Sequence, residues 1–176
     1  MIKEYIDTYY NQDYIYKEIK TYFKIEDFYR RAAIDRAKKI MPAAWEQLLW
    51  SLLDYRLLSN LLYIRVNLNK PIIGGKPDNT QLDERGVRDN MSDTIKVATR
   101  KGIITFSGHA YGIAFDFNVT GMISEDVRKW VKTQNTLIPF KCRFEHLING
   151  VPIGWIHMDV AYYSSNPHIS FFNIQL

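Results

Sequence analysis

The chain has 176 residues, 47% of them hydrophobic, and a formal net charge of +4. That length fits one domain able to bury its own core, which excludes a disordered chain. Its longest apolar stretch is broken by Asp54, Arg56 and Arg65, which argues against membrane insertion, and its lysines and arginines form no basic cluster, which argues against nucleic-acid binding. The mild positive charge suits an anionic polymer such as a cell wall. The lone cysteine, Cys142, has no internal disulfide partner and sits in an apolar run, as a small buried hydrophobe would.

Apolar residues at 2, 5, 6 and 9, then at 15, 19, 22 and 23, recur with helical period, and the break at Asn11-Gln12-Asp13 predicts a second helix capped by Asp13. Met1-Ile2-Lys3-Glu4 lacks the apolar core of a secretory signal, so no signal peptide is expected. Residues 28 to 40 read as helix. Met41-Pro42 breaks the chain before a further helix from Ala43 to Leu53, with Trp45, Leu48, Leu49 and Leu52 on one face. Asp54 to Leu68 carries the strongest helical pattern: Asp54 can cap it, and Leu57, Leu58, Leu61, Leu62 and Ile64 form a broad apolar stripe. Pro71-Ile72-Ile73 reads as a short strand.

Residues 74 to 102 are polar and without period, apart from a helical turn expected over Asp93 to Val97; a loop this long is usually functional or mobile. Ile103 to Phe106 reads as a strand leading into Ser107-Gly108-His109-Ala110-Tyr111-Gly112, followed by the alternating run Ile113 to Val119. Asp116 lies on that run, and a carboxylate on an apolar strand needs a partner. Ser124 is expected to cap a helix reaching about Thr133, with Glu125 and Asp126 in its first turn. A strand from Phe140 to Ile148 then meets Asn149-Gly150, a type I′ hairpin signal. A regular ladder from that turn sets Glu145 opposite Gly154 and Cys142 opposite His157, with Glu145 facing away from the histidine. Pro152 and Gly154 invite a bulge, which would reverse the facing, so the side of Glu145 stays open.

Two imidazoles, His109 and His157, and the carboxylate of Asp116 match the ligand set of a catalytic zinc site with one position left open. No Gly-x-Ser-x-Gly elbow surrounds Ser107, so a serine triad is not expected. The string Ser107-x-His109-x-x-Gly112-x-Ala114-x-Asp116, with Trp155-x-His157-x-Asp159 downstream, resembles the zinc D-Ala-D-Ala carboxypeptidase and L-Ala-D-Glu endolysin family of the hedgehog-like metallopeptidase superfamily. The resemblance covers roughly residues 50 to 163.

It implies that His109, Asp116 and His157 bind Zn2+, and that the substrate is a peptidoglycan stem peptide cut at an amide bond. The family commonly places a general base a few residues before the last histidine, where this chain has Gly154. Glu145, across the hairpin, and Asp159, two residues after His157, are the acids left for that role. Arg88, within Arg85-Gly86-Val87-Arg88, resembles the arginine-bearing loop that the family sets over the substrate, and Ser107 is a second substrate contact. The expected architecture is α+β: N-terminal helices on a small antiparallel sheet carrying one zinc site. Residues 1–27 form a helical extension and residues 28–176 the peptidase-like domain. Without a signal peptide, a phage lysin released through a holin or carried on a virion is the expected setting, with peptidoglycan and virion proteins as partners. The rival expectation is a weakly active or inactive zinc-binding module for wall attachment or virion assembly.

Overall fold

The computed structural model describes residues 8–75, 85–88, 107–161 and 168–174. The helical turn expected at Asp93 to Val97 and the strand at Ile103 to Phe106 lie outside these residues. Among them the chain is α+β, with helices α1 (Gln12–Glu18), α2 (Arg31–Ile40), α3 (Trp45–Ser51), α4 (Tyr55–Leu68) and α5 (Ser124–Thr133). Five strands, β1 (Ile72–Ile73), β2 (Ala114–Val119), β3 (Cys142–Ile148), β4 (Val151–Asp159) and β5 (Ile169–Ile174), form one sheet in the order β1-β2-β4-β3-β5.

The sheet is mixed rather than antiparallel throughout. β5 runs parallel to β3, pairing Glu145 with Phe172. Parallel neighbours are not joined by a short turn, and β4 lies between β3 and β5 in the chain.

Helix α4 is the centre of the helical layer. Asp54 occupies its N-cap and accepts from the backbone N–H of Arg56 at 2.8 Å. Leu57, Leu58, Leu61, Leu62 and Ile64 are all buried, each contributing about 1.5–3 kcal/mol of apolar burial. The helix also buries Ser59 and Asn60, and both are satisfied over long range. Ser59 donates to the carbonyl of Tyr9, and Asn60 bonds both the N–H and the carbonyl of Phe140. The N-terminal segment therefore shares this core, with Ile15, Ile19 and Phe23 buried in it. Phe28 joins the layers, its ring 4.6 Å from that of Phe115 on β2 and 5.5 Å from that of Trp50 on α3.

Several local expectations need correction. The first described helix is capped by Asn11, whose side chain accepts from Tyr14 N–H, not by Asp13. Residues 28 to 30 precede α2, because Phe28 and Tyr29 are used to bury rings and to pair Tyr29 with Val87. Helix α3 buries Leu49 and Trp50 while Leu52 is exposed, so its inner face is turned from the one expected. Ser124 opens α5 as its first helical residue, and Ile123 holds the cap position without a side-chain bond.

The Asn149-Gly150 turn forms as its composition requires, with φ of 50° and 79°, and sets Ile148 opposite Val151. The ladder does not continue regularly. Leu147 faces Pro152, but Glu145 faces His157 instead of Gly154. One residue of β3, His146, lies against residues 153 to 156 of β4. The offset of three residues is odd, so it exchanges the faces and brings Glu145 to the same side as His157.

Candidate metal centre

One face of the sheet packs on the helices through Phe115, Phe117, Phe144, Ile156 and Met158. The opposite face carries a row of aligned side chains, one from each of four strands: Asp116, His157, Glu145 and Phe172. The regular β2–β4 ladder sets Asp116 directly against His157. His109 comes from outside the sheet, on a 3₁₀ turn over Gly108–Tyr111 that folds back over the start of β2. Gly112 closes that turn at φ 67°, and its carbonyl accepts from Asp54 N–H at the start of α4. A Cβ at Gly112 would stand 2.3 Å from the carbonyl oxygen of Leu52, so the turn can seat here only with glycine.

The ligand atoms of His109, Asp116 and His157 all lie within 4.8 Å of one another. His157 Nδ1 is 2.7 Å from Asp116 Oδ1. His109 Nε2 is 3.1 Å from His157 Nδ1 and 3.3 Å from Asp116 Oδ1. Zinc bonds of about 2.0–2.1 Å in a tetrahedron separate ligand atoms by about 3.3 Å. The observed triangle is close to one face of such a tetrahedron, with one edge short.

The hydrogen bonds around the triangle fix its protonation. His109 Nδ1 lies 2.7 Å from the carbonyl of Gly86. A carbonyl only accepts, so Nδ1 carries the hydrogen and Nε2 presents a bare lone pair. Burial lowers the pKa of His109 and keeps the ring neutral. Two acceptors, that lone pair and Asp116 Oδ1, thus face each other across 3.3 Å with His157 Nδ1 within 3.1 and 2.7 Å of them, so either its N–H or a metal ion can bridge the pair. Burial also opposes ionisation of Asp116, yet the flanking His109 and His157 outweigh it and hold the carboxyl well below the ordinary range. For His157, burial is overcome by hydrogen bonds and charge from Asp116 and Asp159, and its pKa rises to about 9. The metal-free site therefore stores one proton on His157 where a metal would sit. The donor set, two nitrogens and one carboxylate oxygen with no thiolate, fits zinc.

The surroundings orient these groups. Arg88 Nη2 contacts the second oxygen of Asp116 at 3.3 Å, which leaves Oδ1 for the cluster. Arg143 grips Asp159 with two bonds of 3.0 and 2.8 Å, and Asp159 also accepts from Ala161 N–H. Asp159 Oδ2 lies 3.6 Å from His157 Nε2, so this acid braces the histidine. Glu145 differs from both other acids. It is buried, and its Oε1 has no hydrogen-bond partner among the described residues. Burial, the largest influence on it, raises its pKa.

These residues line a cleft of about 380 Å³ that also takes in Ser107, Trp155 and Phe172. Every site residue expected from sequence lies at this cleft: Arg88, Ser107, His109, Asp116, Glu145, His157 and Asp159. Arg88 sits on Asp116 as well as over the cleft, which the sequence did not indicate. Residue type and spacing did not single out the Gly86 carbonyl, Arg143 or the carbonyl of Arg85, which accepts from Asp116 N–H at 2.8 Å. Gly86 lay inside the Arg-Gly-Val-Arg string, where a glycine between arginines was the one available signal. A Cβ there would stand 1.9 Å from the carbonyl oxygen of Phe28.

His146 and His168 stand apart from the cluster. His146 faces Glu125 at 3.3 Å, and His168 Nε2 donates to the Ile138 carbonyl. Cys142 is buried, and burial pushes its thiol far above the ordinary range, which leaves it unreactive. No helix among the described residues is long and apolar enough to cross a membrane.

No protein-family model matches the chain, and neither a curated protein nor a solved structure matches it significantly. The fold and the cluster define a class no narrower than an α+β protein with a candidate three-residue metal centre.

Proposed function

We propose that the chain is a zinc-dependent hydrolase of an amide bond in peptidoglycan stem peptides, of the D-Ala-D-Ala carboxypeptidase or L-Ala-D-Glu endopeptidase type. The observation that carries the proposal is the His109–Asp116–His157 triangle with an unpartnered, buried glutamate beside it in one cleft. A zinc ion held by the triangle supplies a Lewis acid that polarises an amide carbonyl and acidifies water.

The side chains then have separate tasks. Glu145 takes a proton from the attacking water and returns it to the leaving amine. Its raised pKa suits that exchange, and its free Oε1 leaves it available. Asp159 does not compete for this role, since both its oxygens are engaged by Arg143. It holds His157 in orientation instead. Arg88, anchored on Asp116, presents positive charge at the cleft where the carbonyl oxygen gains negative charge. Ser107, which lines the cleft with His109, offers a hydroxyl to the peptide backbone. A lysin role in a phage, free or virion-borne, follows from the same resemblance and motivates the choice of substrate.

Digestion of purified cell-wall sacculi by the zinc-loaded protein, read by mass spectrometry of the muropeptides, tests this. One new free amine per cut and a matching loss of stem-peptide residues are expected. Intact muropeptides with zinc bound would overturn the activity.

A further inference from the structure

Glu145 faces the cluster only because the β3–β4 ladder slips beside it, and a slip of this kind strands backbone carbonyls that a regular ladder would have paired. Three of them, those of Glu145, Ile153 and Trp155, converge on one side chain from the opposite face of the sheet. Arg128 of α5 is buried, with its side chain 2% exposed. Its Nε donates to Glu145 O at 3.1 Å, and its Nη2 donates to Ile153 O at 3.1 Å and to Trp155 O at 2.6 Å. Glu125, one helical turn back, stands 3.5 Å from Nη1 and supplies the countercharge. A guanidinium presents its donors in a rigid planar fork, a shape that holds carbonyls from two strands at once.

We propose that Arg128 is the positioning residue for Glu145: it fixes the slipped register of β3 against β4 and so sets the distance from the glutamate to the metal cluster. The inference rests on reading Glu145 as the proton acceptor. Arg128 touches neither substrate nor metal; it acts through the backbone of the residue that does the chemistry. Lysine cannot replace it fully, because a single ammonium cannot reproduce the planar fork that spans Glu145, Ile153 and Trp155. The β2–β4 ladder carries Asp116 and His157 in regular register, and none of the three carbonyls that Arg128 holds belongs to its paired residues.

The test uses the full chain loaded with zinc, as wild type, Arg128→Met, Arg128→Lys, Glu145→Gln and the Arg128→Met/Glu145→Gln double variant. Arg128→Met is expected to lower kcat for stem-peptide cleavage about 100-fold, the usual cost of misplacing a catalytic group by about 1 Å. KM and zinc stoichiometry stay unchanged, and Arg128→Lys recovers part of the rate. The double variant is expected to be no slower than Glu145→Gln alone, because both changes disable the same group. A full additive loss, or wild-type kcat in Arg128→Met, overturns the proposal. Should Arg128→Met not fold, Arg128→Lys decides by the same split of kcat from KM. Amide hydrogen exchange judges the placement without any turnover. In Arg128→Lys, exchange is expected to quicken across Glu145–Leu147 and Ile153–Trp155 and to stay unchanged at Asp116 and Phe117; uniform or unchanged exchange overturns it. A wild type that cleaves no peptidoglycan sinks the hydrolase reading, while the exchange result still judges the role of Arg128 in holding the register.

Discussion

Strand β4 has two different neighbours. Toward β2 its ladder is regular, and Asp116 meets His157 in direct register. Toward β3 the ladder slips by three residues, and Glu145 reaches the same histidine only through that slip. The two sides also differ in how their side chains are bound. Asp116 has His157, His109 and Arg88 around it, whereas one oxygen of Glu145 has no partner among the described residues. A metal ligand gains from a fixed position, because the ion tolerates little error in distance. A proton acceptor must instead keep a lone pair available for water. On the proposed reading, the regular ladder serves the first need and the irregular one leaves room for the second.

The comparison breaks most sharply at Glu145. Replacing it by glutamine is expected to lower the hydrolysis rate by about 10²–10⁴-fold while one zinc per chain is still bound, as read by muropeptide release beside metal analysis. Equal loss of zinc and rate would mean that Glu145 belongs with the ligands. A change behind the ligands acts the other way. Gly86→Ala forces the carbonyl that orients His109 away from Phe28, and zinc affinity is expected to weaken about 10–100-fold by competition with a chelating dye.

The stored proton gives a third test. His157 is raised to about 9 and His109 is lowered, so the metal-free site holds one proton at neutral pH. A zinc ion bound as proposed must displace it, hence affinity is expected to rise with pH up to about 9 and then level. Between pH 7 and pH 9 the expected slope is about tenfold in affinity per pH unit. Calorimetry in buffers of different ionisation enthalpy should count one proton released per zinc; two would mean that His109 is charged as well. The smallest effect belongs to the hairpin tip. Gly150→Ala must hold alanine at φ 79°, which costs about 1–2 kcal/mol of stability. Its zinc affinity is expected to stay at the wild-type value, since the tip lies beyond the slip.

What the sequence revealed and what it hid divide along the same line. The Asn149-Gly150 turn and the Asp54 cap were legible because both are decided within a few residues. The candidate ligands were legible through residue type and spacing. The facing of Glu145 was not, because it follows from the slip between β3 and β4, where the bond to the Glu145 carbonyl comes from Arg128, 17 residues earlier in the chain. The Gly86 carbonyl left no mark of its own, since every residue has a carbonyl and only the folded chain aims this one at His109. The parallel pairing of β5 was hidden for a similar reason: parallel partners are joined by no short turn that composition could announce. The inner face of α3 was misread because Trp50, rather than Leu52, finds the aromatic pocket beside Phe28.

Zinc K-edge absorption on the purified, zinc-supplemented protein, with His157→Ala alongside it, bears most directly on the metal centre. One zinc per wild-type chain in a nitrogen and oxygen shell, with that signal absent from the variant, is the predicted result. A wild type that retains no zinc at one equivalent, or a variant that binds it as firmly, would contradict the assignment.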